Sequence, residues 1–139
     1  MLISATTKGL MGEFYAAGAI LSFGTHKVSL CQQDAVDLVA FNSDNHLLVQ
    51  VKTAFLASRP NRSPSYQFQL AHGGKNKRVA TERDFDIYAL VASHNRRVLF
   101  LPTRSLLQHT KRLPPSRFTA EAEIESWHKA VNYVLEMRK

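Results

Sequence analysis

The sequence lacks most of the features that mark secreted, membrane-spanning and disulfide-bonded proteins. Cys31 is the only cysteine among 139 residues, which excludes an internal disulfide and a zinc site built from several cysteines. Polar or charged residues interrupt every apolar stretch, so no segment is long enough to cross a bilayer. The N-terminus has neither the basic nor the long apolar region of a secretory signal. We therefore expect a cytoplasmic protein without a membrane partner.

Acidic residues are scarce in the middle of the chain. Between residues 59 and 117, twelve Lys and Arg residues stand against three Asp and Glu residues, so this block supplies the formal net charge of +7. A phosphate backbone attracts concentrated positive charge, because each neutralised phosphate releases a condensed counterion. The block therefore predicts a nucleic-acid partner. The alternatives are a basic surface that aids solubility or one that binds an acidic protein.

Length and composition predict a single domain over residues 1–139, and the chain opens with a predicted helix. Thr6 or Thr7 would cap this helix, which would run to about Ser22 and stop at Gly24. Glu13 would lie on the flank of its buried face. Apolar side chains at helical spacing define that face: Leu10, Phe14, Ala17 and Leu21.

Short apolar runs after the helix predict strands. Three of them cover about 26–31, 36–41 and 46–54. The segment 55–65 contains two prolines and three serines, and it predicts a loop. Alternation over 66–70 then predicts a fourth strand, with Gln67 and Gln69 on one face.

The second half of the chain predicts loops, a hairpin and a final helix. We expect a basic loop over 72–83, a hairpin formed by the runs 86–92 and 98–101, and a short helix over 102–107. The final helix starts near Thr119, with one apolar face: Ile124, Trp127, Val131 and Leu135. This mixture predicts an α/β fold in which helices pack against one sheet.

A tight turn in the first half brings three polar side chains together. Asn-Ser-Asp-Asn at 42–45 lies between two apolar runs, which indicates an antiparallel hairpin. If Phe41 and His46 flank the turn, Asp37 faces Gln50. Lys52 lies on the same face as Gln50, because side chains alternate along a strand. An acid, an amide and an ammonium group therefore converge on one face of the hairpin.

This group of side chains suits a hard cation such as Mg²⁺. The side-chain oxygens of Asp37 and Gln50 and the carbonyl of Val51 are suitable ligands, and Glu13 would add a second carboxylate from the helix. Lys52 would orient or help to deprotonate an attacking water, or balance charge on a phosphate. The alternative is a turn aspartate and a solvated strand lysine, since this spacing often arises by chance.

Asp37 followed by Gln50-Val51-Lys52, with Gly12-Glu13 on a preceding helix, resembles the PD-(D/E)xK nuclease superfamily. The similarity spans roughly residues 8–102 and is closest in LLVQVKTA at 47–54. Within the superfamily, the chain resembles the group I intron homing endonuclease branch, where Gln replaces the usual acid. It departs from the common pattern because no proline precedes Asp37 and because Gln50 is neutral, which weakens metal binding.

The resemblance implies a restriction-endonuclease-like αβββαβ core with a central mixed sheet flanked by helices. It also implies Mg²⁺-dependent hydrolysis of phosphodiester bonds in double-stranded DNA, with Mn²⁺ as a substitute, by a homodimer or homotetramer. The implied catalytic residues are Glu13, Asp37, Gln50 and Lys52, and the implied metal ligands are Asp37, Gln50, Val51 and Glu13. Two alternatives are a Holliday-junction resolvase-like nuclease and an inactive nucleic-acid-binding module of the same fold.

Further polar residues are candidates for DNA contacts. Gln67 and Gln69 would reach base edges or support the site. The segment 72–78 lacks the spacing of a phosphate-binding P-loop, so no nucleotide cofactor is expected. The predicted phosphate contacts are basic: Arg59, Arg62, Lys75, Lys77, Arg78 and Arg83.

Overall fold

The computed structural model describes residues 2–33, 35–71 and 78–139. The described helices are α1 (Ala5–Ser22) and α2 (Ala120–Met137). The described strands are, in chain order, β1 (Lys27–Gln33), β2 (Val36–Phe41), β3 (His46–Ala54), β4 (Leu56–Arg59), β5 (Arg62–Gln69), β6 (Ile87–Ala92), β7 (Arg97–Pro102) and β8 (Thr110–Leu113). Short 3₁₀ helices, Thr103–Ser105 and Pro115–Arg117, lie on either side of β8.

A central mixed sheet has the strand order β1-β2-β3-β6-β7. Strands β1, β2 and β3 are antiparallel neighbours, β3 pairs with β6 in parallel, and β6 and β7 form an antiparallel hairpin. The pairing of β2 with β3 runs from Leu38↔Val49 to Phe41↔His46, which confirms the predicted register. The bounds predicted for these two strands are also confirmed.

Both helices pack on one face of this sheet. Buried residues of α1 and α2, including Ile20 and Trp127, join a core cluster with Leu38, Val49 and Ala89. Alternate positions of the strands point to the opposite face, because successive side chains along a strand point in opposite directions. The predicted α/β fold, with a central mixed sheet flanked by helices, is confirmed.

A second sheet, ordered β4-β5-β8, covers the other face. Its side chains Tyr66, Phe68 and Leu113 pack in a second core cluster with Tyr88 and Leu90 of the central sheet. The loop predicted over 55–65 is therefore wrong, because β4 and the first half of β5 form a hairpin there. In the described segments between β3 and β6, this hairpin stands where the αβββαβ order has a helix.

The predicted buried face of α1 is wrong. Leu10, Phe14 and Leu21 are 38%, 57% and 52% exposed, whereas Gly12 and Ala16 are buried together with Ile20. The helix packs through its small residues because it lies too close to β3 for larger ones. Its N-cap is Ser4, whose hydroxyl accepts a hydrogen bond from the Thr7 amide, and not Thr6 or Thr7.

The face predicted for α2 is correct at Trp127 and Val131 and wrong at Ile124, which is 40% exposed. Glu123 is buried in the first turns of the helix. Its carboxylate accepts hydrogen bonds from the Val98 amide at 2.9 Å and from Arg97 at 3.2 Å. This buried acid on the packed face of α2 interrupts the apolar spacing from which the buried face was predicted. Neither described helix is long and apolar enough to cross a membrane.

Candidate active site

Asp37 marks the point where β2 separates from β3. The Val51 amide donates a hydrogen bond of 2.7 Å to Asp37 Oδ2, one step beyond the last paired residues of the two strands, Leu38 and Val49. The side chain thus takes a backbone donor that strand pairing would otherwise satisfy. This contact fixes the Asp37 carboxylate against β3, beside Gln50 and Lys52.

Gln50 is buried, with 7% of its surface exposed, and its Oε1 atom has no hydrogen-bond partner. A buried amide oxygen without a partner costs free energy, because its hydration has been lost without replacement. The oxygen lies on the same strand face as Lys52. A ligand that accepts an oxygen lone pair would satisfy it, and a hard cation is such a ligand.

Lys52 is half-buried on the same face of β3. Burial lowers the pKa of its ammonium group below the usual range, although the negative charge of Asp37 acts in the opposite direction. Both effects show that the amine lies in a partly dehydrated place within the electric field of Asp37. A lysine in such surroundings loses its proton more easily than one in water.

Glu13 reaches the same place from α1. Burial, the charge of Asp37 and a hydrogen bond to the Asp37 side chain raise the pKa of Glu13 to about 7. Two carboxyl groups at hydrogen-bond distance favour the state in which they share one proton. At neutral pH this pair therefore changes between one and two negative charges.

Gly12 explains how α1 brings Glu13 to the sheet. An added Cβ at Gly12 would lie 1.8 Å from Thr53 Oγ1 and 3.0 Å from Thr53 Cβ. Only glycine allows the helix to approach β3 so closely. Glu13 follows directly in the chain, and Thr53 follows Lys52, so one close contact aligns both parts of the site.

The side chains that converge here fit a divalent cation of the Mg²⁺ class. Asp37 and Glu13 supply carboxylate oxygens, and Gln50 supplies a buried amide oxygen that has no other partner. Among the described residues no three His, Cys, Asp or Glu side chains cluster as a metal site, because the third side-chain donor here is an amide. Oxygen donors without thiol or imidazole favour Mg²⁺ or Mn²⁺ over zinc.

The whole fold is similar to a solved structure. A bacterial homing endonuclease, I-Ssp6803I, superposes with a TM-score of 0.77 at 18% sequence identity, over 99% of each chain. No protein-family model matches the sequence, and no curated protein matches it significantly. At this identity the similarity establishes the fold.

The Glu13–Asp37 pair leads to a prediction about stability. Because the pKa of Glu13 is about 7 in the folded chain and near 4.5 when exposed, the folded chain binds the proton more tightly. This contribution is complete below about pH 4.5 and is lost as the pH rises through about 7. We therefore expect the melting temperature of the native protein minus that of Glu13→Gln, both measured in EDTA, to decrease as the pH is raised from 5 to 8.

A matched carboxyl variant controls this measurement. Glu125 is exposed on α2, so Glu125→Gln removes an acid without touching the site. The difference between the native protein and Glu125→Gln is expected to stay constant over the same pH range. A melting-temperature difference for Glu13→Gln that does not change with pH would contradict the shared proton.

The residues predicted to contact DNA occupy different surroundings. Arg59 and Arg62 are exposed and face each other across the β4–β5 hairpin. Arg78 binds Asp84 through two hydrogen bonds of 3.1 and 3.2 Å, so its charge is partly neutralised. Arg83 is exposed. Lys75 and Lys77 lie outside the described residues.

The predicted strand face of Gln67 and Gln69 exists, but it belongs to the second sheet. Sequence reasoning missed the residues of β8 that complete this face. Arg112 donates a 2.7 Å hydrogen bond to Gln67 Oε1, and Thr110 donates one of 3.3 Å to Gln69 Oε1. The only sequence signal for them was the basic Lys111-Arg112 pair.

Proposed function

We propose that the protein is a metal-dependent DNA endonuclease that hydrolyses phosphodiester bonds. The observation that carries this proposal is the buried, unpartnered Gln50 Oε1 on the strand face that also presents Lys52, beside the Asp37 carboxylate. Oxygen ligands beside a lysine of lowered pKa suit phosphodiester hydrolysis. The fold similarity to a homing endonuclease supports DNA as the substrate.

In this mechanism, Asp37, Gln50 and Glu13 would hold a Mg²⁺ or Mn²⁺ ion, and the Val51 carbonyl would be a further ligand. The bound ion supplies Lewis-acid stabilisation of charge on the phosphate and lowers the pKa of water. The Val51 amide keeps Asp37 in place through its 2.7 Å hydrogen bond. With such an ion bound, the proton that Glu13 shares with Asp37 would leave to solvent, because carboxylates bind metal in the deprotonated form.

Lys52 acts on the nucleophile and on the phosphate. Its ammonium group donates hydrogen bonds to a phosphate oxygen and to the attacking water, and so holds the two reactants together. Water oxygen forms the new bond to phosphorus as the bond to the leaving sugar oxygen breaks. The attacking water passes its proton to solvent, directly or through Lys52, whose lowered pKa eases proton exchange, and the leaving sugar oxygen takes a proton from solvent.

Double-strand cleavage would require a pair of subunits, because the described part of one chain forms one such site. We propose a homodimer, or a homotetramer built from two dimers, formed through the apolar residues exposed on α1. Leu10, Phe14 and Leu21 form this exposed stripe, which leaves apolar surface in water. Symmetric pairing would bury the same stripe on both subunits.

A gel assay tests the proposed function. We expect the purified protein to nick or linearise supercoiled plasmid in Mg²⁺ or Mn²⁺ and to leave it intact in EDTA. A labelled four-way junction in parallel lanes separates the alternatives, since cleavage of the junction alone would indicate a resolvase. Long genomic DNA is included so that a rare target is present. Salt-sensitive binding without cleavage of any substrate would contradict the proposal and indicate an inactive binding module.

A further inference from the structure

The second sheet has one apolar and one polar face. Tyr66, Phe68 and Leu113 are buried against the central sheet. The register of β5 with β8 places Gln67 opposite Arg112 and Gln69 opposite Thr110, on the other face. Arg112 and Gln69 are exposed there. The sheet thus presents amide, hydroxyl and guanidinium groups outward in two adjacent rows.

Hydrogen bonds hold these outward side chains in place. Arg112 Nη2 lies 2.7 Å from Gln67 Oε1, and Thr110 Oγ1 lies 3.3 Å from Gln69 Oε1. The bond to Gln67 uses one of the five N–H donors of the guanidinium group. Pairing with a neutral amide leaves the positive charge of Arg112 in place, unlike Arg78, Arg97 and Arg138, which pair with carboxylates.

The strands that form this surface contain no acid. The segments 55–71 and 103–117, which contain all of β4, β5 and β8, have no Asp or Glu. Elsewhere the chain has eleven acidic residues, so their absence from both segments is not a property of the whole sequence. The same two segments contain six bases: Arg59, Arg62, Arg104, Lys111, Arg112 and Arg117.

The second sheet also lies on the same side of the central sheet as the candidate active site. Tyr66 and Phe68 of β5 pack with Tyr88, which pairs with Gln50 in the central sheet. The second sheet therefore covers the face of β3 that carries Gln50 and Lys52. DNA bound along the second sheet would pass on the same side of the central sheet as the proposed scissile site.

We propose that the outward face of β5 and β8 reads base edges in the major groove of DNA, with Arg112 as a specificity residue and Gln67 as its positioning partner. This inference rests on the proposed function. The major groove admits a β-ribbon, and the guanidinium of arginine binds the two acceptors of guanine while glutamine binds adenine. Arg59 and Arg62 at the hairpin then contact the phosphate backbone.

Selection from a pool of randomised DNA duplexes tests the inference without cleavage. The native protein is incubated with the pool in EDTA and, separately, in Ca²⁺, and bound duplexes are sequenced. We expect enrichment of a defined motif. Arg112→Ala should reduce discrimination at one base-pair position by about 10-fold or more and leave other positions unchanged. Gln67→Ala should relax the same position less strongly.

Arg112→Lys separates charge from base readout. It keeps the positive charge but loses the planar, bidentate donor pair. We expect affinity for an unrelated duplex within about 3-fold of native, with the same relaxation at the one position. Lys129→Ala is the matched control, since Lys129 is exposed on α2, and it should select the native motif.

Two results would overturn the inference: a native protein that enriches no motif, or Arg112 variants that select the native motif unchanged. A uniform loss of affinity in Arg112→Ala that Arg112→Lys restores, with base preference unaltered, would show a phosphate contact and also contradict it. Failure of the proposed function can be distinguished from failure of this inference. In that case metal-dependent cleavage would be absent, while Arg112-dependent selection would persist.

Discussion

Lys52→Ala is expected to abolish cleavage while leaving DNA binding within a few-fold of native. Loss of one positioned donor at a developing charge costs about 10²- to 10³-fold in rate, and Lys52 also positions the nucleophile. Binding changes little, because Lys52 is one of 18 Lys and Arg residues and is half-buried. Plasmid nicking in Mg²⁺ and a mobility shift in EDTA measure the two effects.

Two further variants sharpen this test. Lys27 is an exposed lysine on another strand of the same sheet, so Lys27→Ala removes the same charge and should cleave at the native rate. Lys52→Arg keeps a charge, but its pKa lies far above that of lysine, and it should remain strongly impaired if proton exchange matters. Native cleavage by Lys52→Ala would remove this residue from the mechanism. Equal losses of binding and cleavage would assign it to DNA affinity.

The hairpin that carries the site could be predicted from sequence because local chemistry determines it. The polar turn at 42–45 fixes the register, and the register fixes which side chains share a face with Asp37. No long-range information was needed to place Gln50 and Lys52 together. The shared proton with Glu13 required the structure, since it depends on how closely α1 approaches the sheet.

Other parts of the fold depend on contacts between residues distant in sequence. Strand β8 has four residues and pairs with β5, so that Gln67 and Arg112 meet across 45 positions. So short a segment carries no periodicity of its own. The β4–β5 hairpin was missed because its outer half is polar and exposed, with Asn61 in a left-handed conformation at the turn (φ of 62°). The buried face of α1 was predicted wrongly because the sequence shows which side chains are large and apolar. It does not show how closely the helix approaches β3.

Gly12→Ala is expected to lower both stability and activity. Its Cβ would meet Thr53 Oγ1 at 1.8 Å, so the Thr53 side chain, α1 or β3 must shift. Overpacking of this kind costs about 1–3 kcal/mol in the free energy of unfolding. A shift of α1 or β3 also moves Glu13 or Lys52, and a displacement of about 1 Å can reduce catalysis by about 10²-fold. Denaturant unfolding and plasmid cleavage under conditions where the variant stays folded measure the two losses separately.

The same helix supplies the controls. A Cβ at Gly9 or Gly18 would meet nothing within 4 Å, so Gly9→Ala and Gly18→Ala should be as stable as native or more so, because alanine favours helices.

Thr53 Oγ1 is buried without a partner, and Thr53→Ala removes it at little cost. Combined with Gly12→Ala, it should recover part of the stability and cleavage, since only the 3.0 Å contact with Cβ remains. If Gly12→Ala matched Gly18→Ala in stability and native protein in cleavage, the close approach of α1 would not position the site. Partial recovery in the double variant would instead locate the effect at this one contact.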